Sequence, residues 1–270
     1  MKLVYIMGLE HSGTTLLNFM LGANSKAAGT GEGLRFFDQR EDFINKNALC
    51  TCGEHYADCP FWSFFETKFK ESGDKSEDNF LRVFLDSCND FYGSGNLIVD
   101  SSKDTRILER AAEYGDLDIK VVVIVKDVRA WGFSVRSKAK KKGTYSFLKH
   151  NYPYLFRSWH KSNRNLEKRL KALGLDYLTI TYEDLCFSPA DILEELCDFA
   201  GLKYEEQMAR PDRSQQHYIN GNRMRVAEKG EIEVSYDSRW FFSLKWVPAA
   251  MLMRRVMSYN AAIHKAKTDD

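Results

Sequence analysis

Residues 8–17 read GLEHSGTTLL and follow the apolar run KLVYIM. A strand that ends in a glycine-bearing turn and opens into a helix aims several backbone N–H groups at one point, and the helix dipole makes that point attractive to an anion. Gly8 and Gly13 have the spacing of the nucleoside-triphosphate loop G-x-x-x-x-G-K-[ST], but Thr14 stands where that loop carries the lysine that grips the outer phosphates. The chemistry on offer is anion binding by backbone amides and by the hydroxyls of Thr14 and Thr15, with the anion left open. A plain strand–turn–helix junction, with small residues for packing, is the weaker competing reading.

The elements that must position this loop follow from the pattern around it. NLIVDSS, IKVVVIVKD and LDYLTITYED are short β-branched runs without polar alternation, as expected of parallel strands covered on both faces, and helical patterns separate them. One helix is expected over 104–114, capped by Asp100 and Ser102 and stopped by Gly115. A second runs from Pro153 to Gly174, and a third from Ser188-Pro189 to Gly201. This alternation predicts an α/β fold, three-layer, with a doubly wound parallel sheet and ligands beyond the strands' C-terminal ends. Those ends are GLEHSGTT, DSSK, KDVR and YEDL. The stretch from about 35 to 95 breaks the alternation and reads as a helical insertion over the sheet's ligand edge. RWFFSLKWVPAAMLMRRVM reads as a terminal amphipathic helix packed on the core.

At 270 residues with no Pro/Gly/Ser-rich linker, the chain is expected to form a single domain, 1–270. Lys plus Arg number 39 against 38 Asp plus Glu, a balance that predicts no nucleic-acid partner and makes any anion site local. No apolar run approaches the roughly 20 residues of a membrane span, and the first strand leaves no room for a signal peptide, so a cytoplasmic location is expected. Cys50, Cys52 and Cys59 cluster in CTCGEHYADC, with His55 between them, while the other three cysteines are scattered. The spacing is not that of a standard zinc finger, and three ligands with an unassigned fourth favour plain thiols over a metal.

Four motifs in order resemble the sulfotransferases that use 3′-phosphoadenosine 5′-phosphosulfate (PAPS), from Val4 to about Arg225. HSGTTLL looks like that family's loop for the 5′-phosphosulfate, and VVVIVKDVRAWGFS like its 3′-phosphate segment. TYEDLCFSPADILEELCDFAGL resembles its Tyr-Glu-Asp-Leu segment, and HYINGNRMR its glycine-asparagine-arginine stretch. The resemblance implies a P-loop nucleoside triphosphate hydrolase-like fold and a transfer of the sulfuryl group from PAPS to a hydroxyl or amine of a small-molecule or glycan acceptor. The product would be adenosine 3′,5′-bisphosphate, and no metal would be required. Ser12, Gly13, Thr14 and Thr15 would hold the 5′ end, and Lys126, Ser134 and Arg225, with Arg223 in reserve, the 3′-phosphate. Tyr182 would lie near the adenine.

By the same resemblance Lys103 would assist the transferring group. Glu32 would be the general base, against the plainer reading of a turn cap or an Arg35 partner. His11 stands where the family has Lys or Arg, and it can replace that cation only as imidazolium or as a neutral N–H donor. The alternatives are a small-molecule or nucleoside kinase of the same architecture, and a binding module without turnover. The aromatic insertion would then shape the acceptor side.

Overall fold

The computed structural model describes residues 1–221, 224 and 230–265. Strands β1 (Lys2–Met7), β2 (Ala27–Gly31), β3 (Leu97–Asp100), β4 (Asp118–Val125) and β5 (Tyr177–Thr181) form a parallel sheet in the order β2-β3-β1-β4-β5. The helices α1 (Thr14–Gly22) after β1, α2 (Arg40–Asn45), α3 (Pro60–Glu71) and α4 (Glu77–Tyr92) before β3, and α5 (Thr105–Ala112) before β4 come first. Then α6 (Val128–Lys141), α7 (Phe147–His150) and α8 (Tyr152–Leu173) precede β5, and α9 (Tyr182–Phe187), α10 (Pro189–Ala200), α11 (Val247–Leu252) and α12 (Arg254–Lys265) follow it.

Alternate residues of β1 point to opposite faces, as the period of two requires. Leu3, Tyr5 and Met7 join the core beneath α3, α4, α5 and α8, whereas Val4 and Ile6 join the one beneath α1 and α10. These are the three layers expected from the strand–helix alternation. The connection leaving β1 goes to the second face and the one leaving its neighbour β3 to the first, which opens a crevice at their C-terminal ends.

Helix boundaries follow the stop signals. Asn151 caps α8 by accepting from the Tyr154 N–H at 2.8 Å, and Gly174 closes it at φ 65°. Pro189 opens α10, which ends at Gly201. The helix expected at 104–114 spans Thr105–Ala112, and its cap is Asp104, which accepts from the Arg106 N–H at 2.9 Å. Asp100 and Ser102 do not cap it. Between 35 and 95 the chain is helical over Phe36–Gln39, α2, α3 and α4 and runs through turns over 46–59, and its aromatic residues Phe61, Trp62, Phe65, Phe80 and Phe84 form one continuous core with the first sheet face. The expected single terminal helix is instead two 3-10 turns, Ser238–Phe242 and Leu244–Trp246, followed by α11 and α12. Ser243 in an extended conformation and Pro248 in the first turn of α11 break it. Among the described residues no helix is long and apolar enough to cross a membrane.

Candidate functional site

Beyond β1 the chain turns through Gly8, where a Cβ would stand 2.6 Å from the Ile124 carbonyl oxygen, so only glycine lets the loop approach β4 this closely. The Ser12 N–H donates to Leu9 O at 3.1 Å and closes the turn. That amide is spent on the loop itself, which leaves the cradle to the residues after it. Gly13 sits at the N-cap of α1 at φ 98° with no side-chain cap. The first-turn amides of Thr14 and Thr15 therefore face an anion position with no capping oxygen to satisfy them. Trp131 on α6 holds the outer side of the loop, its indole N–H donating to Glu10 O at 2.8 Å.

Two lysines converge on this loop from two strand ends, and a third acts on it from α6. Lys103, after β3, pairs with Glu32, after β2, and its Nζ lies 3.5 Å from Thr14 Oγ1. Glu32 thus pairs with Lys103 rather than with Arg35. Lys126, at the end of β4, is 4% exposed and sits 4.0 Å above the Tyr182 ring. Burial pushes its ammonium below the usual lysine range, against the pull of Asp237 and Glu183. Among the described residues no carboxylate reaches ion-pair distance of it. A buried ammonium without a counter-ion is unfavourable by itself and is relieved when an anion arrives. Lys138 on α6 is the third, recognised through its effect on His11.

His11 lies at the centre of this field. Burial, then the Lys138 charge, and beyond them Lys126 and Lys103 lower its pKa from 6.5 to about 4, with Glu10 opposing. The imidazole is neutral at physiological pH in the unliganded protein, so of the two forms the sequence left open the structure favours the N–H donor. His11 at φ 72° and Lys103 at φ 60° are two of the three non-glycine residues with left-handed backbone among the described residues. Such conformations cost free energy and persist where surrounding contacts over-determine them, often at functional sites.

The β2–β3 edge holds Glu32 and Lys103 in place through Asp100. This buried carboxylate accepts from Thr30 Oγ1 at 2.8 Å, the Leu34 N–H at 3.0 Å and the Ser102 N–H at 2.8 Å, while Ser102 Oγ accepts from the Arg35 N–H at 3.0 Å. These two residues tie the turns after β2 and β3 together. Asn18 does the same from α1, bridging Gly31 O and Val99 O at 3.3 and 3.2 Å and accepting from the Tyr218 hydroxyl. Neither Asn18 nor Tyr218 stood out in the sequence, because nothing local marks a side chain whose partners lie on other strands.

Tyr182 packs beneath the loop, where a Cβ on Gly13 would meet its Cδ2 at 2.6 Å. Ser134 is half-buried on α6, and its hydroxyl and that of Thr15 have no hydrogen-bond partner among the described residues. Arg223 and Arg225 lie outside the described residues. A cleft of about 530 Å³ opens beside Lys103, lined by Gly8, Leu9, Thr105 and, from α8, Leu166, Lys168 and Arg169. Cys50, Cys52 and Cys59 are not among the residues that line this cleft.

This arrangement of loop, crevice and converging lysines agrees with the comparisons to known proteins. The sulfotransferase family model matches residues 4–206, and the chain belongs to that family. No curated protein matches the chain. Among solved structures, the sulfotransferase domain of the olefin synthase from Synechococcus PCC 7002 aligns with a TM-score of 0.56 at 18% identity, covering 94% of each chain. The sulfotransferase domain from the curacin biosynthetic pathway aligns with a TM-score of 0.55 at 18% identity, covering 93% of this chain and 96% of that one. At such identity the likeness establishes the P-loop-like sulfotransferase fold.

Proposed function

We propose that the chain transfers a sulfuryl group from PAPS to a hydroxyl or amine of an acceptor, without a metal ion in the chemical step. The observation that carries this reading is the pair of separate anion positions. One is the uncapped N-terminus of α1 beside Lys103, and the other is the buried, uncompensated Lys126 with Ser134 on the following helix. PAPS has an anion at each end and no triphosphate, so its binding calls for neither the triphosphate loop's lysine nor magnesium.

In the transfer the acceptor oxygen attacks sulfur as the bond from sulfur to the 5′-phosphate oxygen breaks, and adenosine 3′,5′-bisphosphate leaves. Gly13, Thr14 and Thr15 orient the 5′ end, and Lys103 and the neutral His11 N–H stabilise the charge that develops on the sulfonyl oxygens and leaving group. Glu32 takes the acceptor proton. Its ion pair with Lys103 couples the two events, since a donor that draws Lys103 toward the sulfuryl group frees the carboxylate to act as base. The cleft beside Lys103 receives the acceptor. A panel of phenol, sugar, glycolipid and peptide-tyrosine acceptors with labelled PAPS tests this; labelled product from one class is expected, and release of bisphosphate with none would oppose it.

Two residue-level results follow. Lys126→Ala should weaken adenosine 3′,5′-bisphosphate by about 1.5–3 kcal/mol and Ser134→Ala by roughly 1, with far smaller effects on adenosine 5′-phosphosulfate, which lacks the 3′-phosphate. Equal calorimetric losses for both ligands would move the 3′-phosphate elsewhere. His11→Ala should lower kcat roughly fivefold, about 1 kcal/mol of barrier, at neutral pH. Because the free imidazole titrates near 4, kcat/KM for the donor should show no His11-dependent step near the ordinary value of about 6.5. A step there that vanishes in His11→Ala would mean that the cationic form does the work.

A further inference from the structure

Cys50, Cys52 and Cys59 meet a fourth group that local spacing cannot reveal. Their Sγ atoms and a ring nitrogen of His217 all lie within 4.8 Å of one another. Four of the six edges are 3.6 Å for Cys59–Cys50, 3.8 Å for Cys52–Cys59, 3.2 Å for Cys59 Sγ to His217 Nδ1, and 3.9 Å for Cys50 Sγ to the same nitrogen. A tetrahedral zinc ion, about 2.3 Å from sulfur and 2.0–2.1 Å from nitrogen, needs S–S edges of about 3.8 Å and S–N edges of about 3.5 Å. We propose that Cys50, Cys52, Cys59 and His217 bind one structural zinc ion that ties the β2–β3 insertion to the stretch leading into GNRMR. Three thiolates and an imidazole form a closed tetrahedral set that suits zinc and leaves no open position for substrate.

The surroundings are built to hold these four groups. The Cys50 N–H donates to Glu54 O at 2.8 Å and the Gly53 N–H to Cys50 O at 3.0 Å, a tight knuckle that needs Gly53 at φ 98°. Cys59 is the N-cap of α3, with Pro60 next, so its sulfur sits at the positive end of that helix. The far side of the clamp is fixed as well. Trp62 Nε1 donates to His217 O at 3.0 Å, the Thr51 N–H to Tyr218 O at 3.1 Å, and the Tyr218 N–H to Thr51 Oγ1 at 2.9 Å. Phe61, Phe91 and Tyr92 surround the His217 ring. His55, the histidine inside the cysteine segment, turns away, its Nδ1 2.7 Å from Asn47 O. Tyr218 then reaches Asn18 on α1, so the zinc would brace the segment that closes over the anion loop's own helix.

Full-length protein purified without chelator should carry about one zinc per chain by mass-spectrometric metal analysis, released on thiol modification. Cobalt(II) substitution should give the absorption of a tetrahedral thiolate site. Cys52→Ser and His217→Ala should lose more than about tenfold in zinc affinity, His217→Cys should keep the metal, and His55→Ala should leave it unchanged. The wild-type metal content and cobalt spectrum need no variant to fold. Metal-free protein that takes up no zinc when supplied, iron in place of zinc, a Cys50–Cys59 disulfide in the native protein, or loss of zinc in His55→Ala with retention in His217→Ala would each overturn the assignment.

Discussion

Lys103→Met should lower kcat by about 10²–10³-fold, because it removes a preorganised cation from the point where charge develops on the sulfuryl group. The product bisphosphate, which has no sulfuryl group, should bind less than about tenfold more weakly, since the interaction is made mainly in the transition state. The variant also strands Glu32, whose side chain is 14% exposed and pairs with Lys103 in the resting protein. An unpaired half-buried carboxylate costs stability, so Lys103→Met combined with Glu32→Gln should recover folding without recovering turnover. Wild-type kcat in Lys103→Met, or a loss of product affinity as large as the loss of kcat, would remove Lys103 from the chemical step.

Gly13→Ala should damage the loop itself. A non-glycine residue at φ 98° costs about 1–2 kcal/mol. The added Cβ would also stand 2.6 Å from Tyr182 Cδ2 and 3.3 Å from Ile124 Cδ1. The loop must then lift off Tyr182, which moves the Thr14 and Thr15 amides out of register with the anion. Bisphosphate affinity should fall by about 10–100-fold, and a loss of about 1–3 kcal/mol should lower Tm by roughly 2–5 °C for a chain of this size. Calorimetry and thermal melting read both. Unchanged affinity in a folded Gly13→Ala protein would mean that the loop does not hold the donor.

The sheet and the strand–turn–helix junction after β1 were legible because their signals are local. A β-branched run with polar residues at its end, or a glycine pair before a threonine pair, says where a strand stops and amides converge. Gly174 and Gly201 marked the ends of their helices for the same reason. What stayed hidden depends on partners distant in the chain. Asp100 looked like a helix cap because it precedes one, yet its acceptors are filled from Thr30, Leu34 and Ser102 across two turns. His217 could not be paired with Cys59 from spacing, since 158 residues separate them. His55 was the visible candidate and points elsewhere. The neutrality of His11 is likewise set by burial and by lysines on three other segments, Lys138, Lys126 and Lys103, none of which a reading of GLEHSGTT alone contains. The terminal stretch read as one helix because its apolar spacing is helical, while Ser243 and Pro248 interrupt it.

The donor identity separates a sulfotransferase from a kinase on the same fold, and one pair of titrations decides it. Adenosine 3′,5′-bisphosphate without added magnesium should bind and raise Tm by the linkage expected of a ligand specific for the folded state, a stabilisation of about 2.7 kcal/mol at a hundredfold excess over Kd. ATP with magnesium should bind far more weakly, because Thr14 replaces the lysine that would grip its outer phosphates and nothing in ATP meets Lys126 and Ser134 as a 3′-phosphate does. Strong magnesium-dependent stabilisation by ATP, with none by the bisphosphate, would contradict the sulfuryl-transfer assignment and turn the basin around His11 into a kinase site.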